Sequence, residues 1–439
     1  MAEKITATNT IDVLRRHILV DGYPVVVDFE KSKGSHLIDA QSGKKYFDFF
    51  SFFASNPLGY NHPRMNEPEF IKTLTRVAKI KPVLADIYTP EYAQFVETFA
   101  QSAGQNHFSK YFFVEGGALA VENAIKAAFD WKVRKNLAKG KGEKGMQVIH
   151  FEQAFHGRSG YTMSLTNTDP KKIMYFPKFK WPRITNPKLT FPLTETVRKQ
   201  VIENENKALK QIKDAFEQNP DDIACILIEP IQSEGGDNHF RPEFLQALRK
   251  ACDENEALLI FDEVQTGFCL TGSFWAYEQF GVKPDLIAFG KKAQVGGIAT
   301  SEKINEVDSV FKISSRINST FGGNLTDMVR CTQYLKIIKD EKLEKNAAMQ
   351  GEYILSQFHE LSKKYPQMTN IRGRGLLIAF DLPTTQERDH YRRVAWDLGL
   401  LVLVCGDKSI RLRPVLDISK NDIDEAMGLF EDTFKKLQK

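Results

Sequence analysis

Two short apolar runs of this sequence each end in a charged residue that could do chemistry. Residues 257–261 lead into Asp262, and residues 286–289 lead through Gly290 into Lys291. Runs of this kind are typical of buried strands, and open α/β sheets carry their sites at the carboxyl ends of strands. A lysine there can form a Schiff base with pyridoxal phosphate, while a carboxylate keeps its pyridine nitrogen protonated. Two ordinary strand ends with solvated charges would look the same, so the pair alone leaves both interpretations open.

Two further predicted strands also lead to candidate binding residues. Residues 111–114 precede Gly116-Gly117 at the start of a predicted long helix. Free N–H groups and the helix dipole make such a start an anion site, although an ordinary tight turn has the same sequence. Residues 147–151 lead to Phe155 and Arg158. Phe155 could stack on a flat ring and Arg158 could bind a carboxylate; alternatively, one is core and the other surface.

Composition excludes several classes of protein. The 439 residues are 42% hydrophobic and 26% charged, as in ordinary globular proteins. The net charge of +4, from 60 basic and 56 acidic residues, is too balanced to indicate nucleic-acid binding. No apolar run approaches the roughly 18 residues that span a membrane, and residues 1–21 lack a secretory signal. Five scattered cysteines without a CxxC pair predict a reduced, cytoplasmic protein with no metal site.

The spacing of the predicted elements indicates an α/β fold. Strands and helices alternate from about residue 105 to 300, which predicts a doubly wound, mostly parallel sheet. Short alternating runs between residues 25 and 49 predict an antiparallel meander, and residues 49–60 predict a buried loop. We expect a large domain at 61–325 and a smaller α+β domain built from 1–60 and 326–439, the meander joining the C-terminal part.

Six motifs together resemble those of the class III aminotransferases in both order and spacing. They are Glu115-Gly-Gly-Ala118, Phe155-His-Gly-Arg158, Glu229-Pro230, Asp262-Glu-Val-Gln-Thr-Gly267, Asp285-x5-Lys291 and Asn318-Ser-Thr-Phe-Gly-Gly323. The resemblance covers nearly the whole chain. It implies a fold type I pyridoxal-phosphate transferase that works as a homodimer with shared active sites. Within the family, residues 113–124 and 289–295 are most similar to the lysine-specific group, the L-lysine 6-aminotransferases.

The resemblance also implies a set of residues that hold pyridoxal 5'-phosphate. The set is Lys291, Asp262, Val264, Phe155, Gln265, Gly117, Ala118 and Thr320. Lys291 corresponds to the Schiff-base lysine, and Asp262 to the partner of the pyridine nitrogen. Val264 and Phe155 would pack on the two faces of the ring, and Gln265 would lie beside its phenolic oxygen. Lys292 would point away, since successive side chains at a strand end face opposite sides.

The phosphate is expected to bind to the amides of Gly117 and Ala118 and to Thr320 of the neighbouring subunit. Many relatives have Ser or Thr where this chain has Gly117. The phosphate therefore loses a side-chain hydroxyl, and the same departure occurs in the lysine-specific group.

For substrates, the resemblance implies two carboxylate-binding arginines, Arg158 and Arg413, with Asn318 nearby. Glu234 corresponds to an acidic gate that pairs with Arg413, and Gly235-Gly236 are predicted to let its loop move. The reaction that the resemblance implies is transfer of the ε-amino group of L-lysine to 2-oxoglutarate. Alternatives are a transaminase for ornithine, 4-aminobutyrate or a diamine, a pyridoxal-phosphate mutase or decarboxylase, and a binding protein that kept the fold.

Overall fold

A computed structural model describes residues 4–80 and 87–438, and a seven-stranded sheet lies at its centre. The strands in chain order are β1 (His36–Ile38), β2 (Lys45–Asp48), β3 (Lys110–Val114), β4 (Gln147–Phe151), β5 (Arg183–Ile184), β6 (Ile223–Ile228), β7 (Leu258–Asp262), β8 (Leu286–Phe289), β9 (Gly296–Thr300), β10 (Thr369–Arg374), β11 (Leu377–Asp381), β12 (Leu400–Leu401), β13 (Leu403–Cys405) and β14 (Ser409–Leu412). The large sheet has the order β3-β9-β8-β7-β6-β4-β5. Strands β5, β4, β6, β7 and β8 run parallel, and β9 is antiparallel to both β8 and β3. The predicted doubly wound, mostly parallel sheet is confirmed.

Helices cover this sheet, and the central strands are therefore apolar up to the residues at their carboxyl ends. All residues of β6, β7 and β8 are buried, as expected for parallel strands packed on both faces. The α-helices are Thr10–Arg15, Pro68–Ala78, Pro90–Ala103, Gly117–Ala138, Gly160–Leu165, Glu195–Gln218, Pro242–Glu254, Leu325–Asp340, Leu343–Lys364, Thr385–Asp397 and Lys420–Leu437. Short 3-10 turns are found at Ala7–Asn9, Pro63–Asn66, Pro170–Lys172, Ala276–Gln279, Lys291–Ala293 and Glu302–Glu306.

There are two smaller sheets among the described residues, and one of them brings the ends of the chain together. One has the order β1-β2-β12, with β1 antiparallel and β12 parallel to β2. The other has the order β10-β11-β14-β13 and is antiparallel throughout. The N-terminal meander thus pairs with a C-terminal strand, although Val27 forms only an isolated bridge with Asp39. The domain boundaries at residues 60 and 325 stay a prediction.

The segment expected as a buried loop contains a left-handed helical turn. Ser51, Phe52, Phe53 and Ala54 have φ values of 38°, 50°, 58° and 66°. This conformation costs about 1–2 kcal/mol for each residue other than glycine. Surrounding contacts must therefore hold the turn, and they come from the site described below.

Among residues 4–80 and 87–438, no helix is long and apolar enough to cross a membrane. The same residues contain no group of three or more His, Cys, Asp or Glu side chains arranged to hold a metal ion. The five cysteines are free thiols, and each is buried.

Candidate active site

The two charged residues that end apolar runs lie on neighbouring strands. Asp262 is the last residue of β7, which pairs in parallel with β8. Lys291 follows β8 after Gly290 and begins the 3-10 turn Lys291–Ala293. The carboxyl ends of the parallel strands therefore bring both side chains to one edge of the sheet.

Asp262 is a buried carboxylate, 5% exposed, with a histidine as its side-chain partner. Its Oδ2 lies 2.8 Å from Nδ1 of His156, and its Oδ1 accepts a hydrogen bond from the amide of Val264 at 3.0 Å. The Nε2 atom of His156 is also buried and has no hydrogen-bond partner in the described part of the chain. The Asp262 carboxylate is suited to pair with the protonated nitrogen of a pyridine ring bound in the site. His156 lies within the motif Phe155-His-Gly-Arg158, but no role for it was predicted from the sequence.

A glycine turn closes one side of the site. Gly116, with φ of 96°, precedes the helix Gly117–Ala138, whose first amides are free to bind an anion. A Cβ on Gly117 would lie 2.7 Å from Cγ1 of Val264, and one on Gly290 would lie 3.6 Å from the same atom. Gly117, Gly290 and Val264 thus line a shallow depression, and a side chain on either glycine would occupy part of that space. The absence of Ser or Thr at 117 has a steric reason, and the depression fits a flat, phosphorylated ring.

Glu229 connects two loops of the site. Its Oε1 accepts a hydrogen bond from the amide of Phe155 at 2.9 Å, and its Oε2 accepts one from the amide of Ser233 at 3.0 Å. Burial and, after it, the neighbouring Asp262 carboxylate raise the pKa of Glu229 to about 8. Glu229 therefore fixes the position of Phe155 relative to the segment that carries Glu234. Glu229 belongs to the motif Glu229-Pro230, but this role was not predicted from the sequence.

Two arginines on β14 and just beyond it point to the same amide. Oε1 of Gln265 accepts hydrogen bonds from Nε of Arg413 at 2.9 Å and from Nη1 of Arg411 at 3.3 Å. Because its oxygen is occupied, Gln265 has its amide N–H groups left to donate to another atom.

The predicted pair of Glu234 with Arg413 is wrong, because Glu234 binds Arg411 instead. Oε2 of Glu234 accepts a hydrogen bond from Nη2 of Arg411 at 3.0 Å. Arg413 is fully buried and forms two hydrogen bonds with Asp237, at 2.9 and 2.5 Å, and Asp237 is fully buried as well. Residues two apart on a strand face the same side, so the sequence pattern fits both arginines equally. Asp237 forms an ion pair with Arg413, the more deeply buried of the two arginines.

The Glu234 carboxylate has a second partner that no sequence motif indicated. Its Oε1 lies 2.5 Å from Nζ of Lys172. Burial raises the pKa of Glu234, but Arg411 and then Lys172 outweigh it, so the pKa lies below its ordinary value. Glu234 is therefore an anion held between two cations.

The backbone around Glu234 is fixed by hydrogen bonds. The carbonyl of Glu234 accepts from the amide of Gly406 at 2.9 Å, and Arg372 donates to the carbonyls of Gly236 and Asp237. A Cβ on Gly235 would lie 1.9 Å from the carbonyl oxygen of Gln153, and Gly236 has φ of 131°. Close packing and backbone geometry account for both glycines, and the loop movement predicted for them stays a prediction. With the backbone in this position, a change of partner by Glu234 requires only a rotation of its side chain.

The two adjacent lysines have different environments. Nζ of Lys291 lies 3.3 Å from the carbonyl oxygen of Phe53, and Nζ of the buried Lys292 lies 3.1 Å from that of Asn56. Burial and then Arg411 and Arg413 lower the pKa of Lys291 to about 8. Burial and then Arg413 lower the pKa of Lys292 to about 7. Both residues belong to the 3-10 turn, so the alternation of a strand end, used in the prediction, does not separate them.

Three predicted residues lie at the surface of the single chain. Arg158, Asn318 and Thr320 are exposed. The turn after Thr320 is held closely, since a Cβ on Gly323 would lie 2.5 Å from Cε of Met328. Ala118 is part-buried in the first turn of its helix. The roles of these four residues stay predictions.

Comparisons with known proteins give a consistent result. The family model for class III aminotransferases matches residues 19–434. The L-lysine-epsilon aminotransferase of Mycobacterium tuberculosis is 50% identical over 421 residues, covering 95% of this chain and 93% of the relative. The L-lysine-epsilon aminotransferase of Streptomyces clavuligerus is 48% identical over 426 residues, covering 96% and 93%. The solved structure of the M. tuberculosis lysine aminotransferase superposes with a TM-score of 0.96 at 49% identity, covering 98% of this chain and 99% of the other.

Replacement of Lys291 with Ala should abolish covalent attachment of pyridoxal phosphate, while Lys292→Met should retain it. In the wild-type protein stripped of cofactor, the attachment rate should rise as the pH increases through about 8, because the neutral amine is the nucleophile. Absorbance spectra and peptide mass spectrometry after borohydride reduction measure both effects. Attachment that survives in Lys291→Ala and disappears in Lys292→Met would reverse the assignment.

Gly235→Ala should destabilise the protein by about 1–3 kcal/mol, because the added methyl group overlaps a backbone carbonyl. Thermal unfolding measures the loss. Gly428→Ala is the matched control, since a Cβ there meets nothing within 4 Å. A Gly235→Ala variant as stable as the wild type would show that the segment around Glu234 can shift freely.

Proposed function

This chain belongs to the class III aminotransferases, and on that premise we propose that it transfers the ε-amino group of L-lysine to 2-oxoglutarate, giving 2-aminoadipate 6-semialdehyde and L-glutamate. The observation that carries the proposal is the ion pair of Glu234 with Arg411 beside Lys291. The names of the relatives, which are about half identical over nearly the full chain, support lysine as the amino donor.

The cofactor is pyridoxal 5'-phosphate, whose protonated ring, when bound, accepts the electrons released at the substrate carbon. We assign Asp262 to hold the proton on the ring nitrogen, with His156 orienting the carboxylate. The amides of Gly117 and Ala118 would bind the phosphate, and Val264 and Phe155 would hold the ring between them. The N–H groups of Gln265 would donate to the phenolic oxygen.

Lys291 is assigned both the attachment of the cofactor and the transfer of the proton. Its Nζ must be neutral to take a proton from the substrate carbon, and burial beside two arginines makes the neutral amine accessible near pH 8. The same atom would give up that proton again within the same half-reaction, so that the amine is neutral when the second substrate reacts. The carbonyl of Phe53 orients the amine.

The two substrates present opposite demands at one place in the pocket. Next to its reacting carbon, lysine has only methylene groups, whereas 2-oxoglutarate has a carboxylate. Arg411 without a partner would be an uncompensated charge against methylenes, and such a charge is costly in a desolvated site. Glu234 covers Arg411 while lysine reacts, and it releases Arg411 to bind the carboxylate of 2-oxoglutarate. This assignment gives Arg411 the role predicted for Arg413.

Arg158 is assigned to the far end of the substrate, with Asn318 as a neighbouring donor. A carboxylate bound there leaves room for a methylene chain that reaches Lys291, which favours a terminal amine over an α-amine. Ornithine, 4-aminobutyrate and diamines have the same terminal chemistry and stay the alternative donors. The length of the chain decides between them.

We also propose that the protein is a cytoplasmic homodimer with shared active sites. Five free cysteines suit a reducing compartment. Thr320 is exposed on the single chain, as expected of a residue that reaches the phosphate in a neighbouring subunit.

L-lysine and 2-oxoglutarate should give glutamate together with a semialdehyde that cyclises to a piperideine carboxylate. An aromatic amino-aldehyde traps this cyclic imine as a coloured adduct, which absorbance measures. Ornithine and 4-aminobutyrate should react more slowly, because a shorter chain cannot reach from Arg158 to Lys291. Glutamate without the cyclic imine, or a clear preference for ornithine, would contradict the proposal.

Glu234→Ala should slow the lysine half-reaction by about tenfold and affect the 2-oxoglutarate half-reaction less, because only lysine needs Arg411 covered. Arg411→Gln should do the opposite. Single-turnover measurements of each half-reaction give the comparison directly.

Arg413→Gln is the contrasting variant. It breaks a fully buried pair with Asp237, so its effect should be a loss of about 3–5 kcal/mol in stability rather than a selective loss of one half-reaction.

Equal losses in both half-reactions for Glu234→Ala would show that Glu234 does not act as a gate.

A further inference from the structure

The Glu234 carboxylate faces a different cation with each of its oxygens. Oε2 is bound by Arg411 at 3.0 Å, and Oε1 by Lys172 at 2.5 Å. The side chains of Glu234 and Lys172 are 28% and 25% exposed, whereas that of Arg411 is 3% exposed. The group is thus a chain of charges that runs from a buried arginine to a partly solvated lysine.

Lys172 is held in position by its own segment. It ends the 3-10 turn Pro170–Lys172, which Asp169 caps by accepting from the amide of Lys171 at 2.9 Å. Its Nζ also lies 5.4 Å from the centre of the Phe155 ring, within the range of a cation–π contact. Lys172 therefore has contacts that keep it beside Glu234 whether or not Arg411 is paired.

We propose that Lys172 is a positioning residue for the keto-acid substrate: when a dicarboxylate binds Arg411, the Glu234 carboxylate leaves Arg411 and stays paired with Lys172. The inference rests on the proposed function, since it assigns a partner to the released state of Glu234. The fixed backbone of residues 234–237 makes the change a side-chain rotation between two preformed partners.

The balance of charge favours this arrangement. Arg411 and Lys172 contribute two positive charges and Glu234 one negative charge, so the group has a net charge of +1. An incoming carboxylate brings the sum to zero. Without Lys172, binding of the substrate carboxylate would give a group of one arginine and two carboxylates. Its net charge would be −1 in a poorly solvated pocket, which is unfavourable. Lysine brings no carboxylate to this place and does not need Lys172.

The test uses the complete protein with its cofactor and the variant Lys172→Met. The KM for 2-oxoglutarate should rise about fivefold, as expected from the loss of one partly exposed ion pair. The lysine half-reaction should change by less than twofold. Glutarate has both carboxylates but no keto group, and calorimetry should show it binding more weakly by a similar factor. Lys172→Arg keeps the charge and should restore both values to within twofold of the wild type.

Lys171→Met is the matched control, because Lys171 is exposed and adjacent in sequence. It should leave all of these values unchanged. In a Glu234→Ala background, Lys172→Met should alter glutarate binding by less than twofold, because the carboxylate that it positions is absent. A full fivefold effect in that background would mean that Lys172 binds the substrate directly, and the proposal would be overturned.

Equal losses in both half-reactions, or no restoration by Lys172→Arg, would also overturn it. Thermal unfolding of each variant separates these results from misfolding, and Lys172→Gln replaces Lys172→Met if the latter does not fold. If the wild type forms no product from lysine and 2-oxoglutarate, the proposed function fails. Glutarate binding then still decides the role of Lys172.

Discussion

The structure of the site depends on one buried ion pair, that of Arg413 with Asp237. Both residues are fully buried, and removing either partner of such a pair leaves a charge that costs about 3–5 kcal/mol. Asp237 ends the segment that carries Glu234, while Nε of Arg413 binds Gln265. The amide of Arg413 donates to the carbonyl of Phe49, and its carbonyl accepts from the hydroxyl of Ser51. The pair thus joins the segment of Glu234, the residue expected beside the cofactor and the left-handed turn.

The left-handed turn at residues 51–54 accounts for the environment of Lys291 and Lys292. Asp48 accepts from the amides of residues 50 and 51, which fixes the start of the turn. Three carbonyls at and after its end then accept from Lys291, Gln294 and Lys292. The strain of four left-handed residues is offset by these contacts, and the result is a desolvated amine near two arginines. The contact with the Phe53 carbonyl orients Lys291, while burial and then Arg411 and Arg413 lower its pKa.

Rigidity also determines how the proposed change between substrates can occur. A loop that moved would have to break the hydrogen bonds of Gly406 and Arg372 to the backbone around Glu234. Rotation of one side chain breaks only the contact with Arg411. A small rearrangement of charge between fixed partners suits a pocket that must accept two different substrates in every catalytic cycle.

The sequence by itself determined the sheet, the family and the types of residue at the site, because these depend on local periodicity and on motifs at strand ends. It placed Asp262 and Lys291 at the carboxyl ends of two strands, and parallel strands present these ends at one edge of a sheet. It led to Arg413 instead of Arg411 as the partner of Glu234, because the two arginines are two residues apart in the sequence and differ only in what approaches them. Tertiary structure decided that choice, because Asp237 arrives from 176 residues away and binds the deeper arginine. The role of Lys172 and the left-handed turn could not be predicted from the sequence for the same reason. The residues that they contact lie far away along the chain, and no local sequence pattern indicates such contacts.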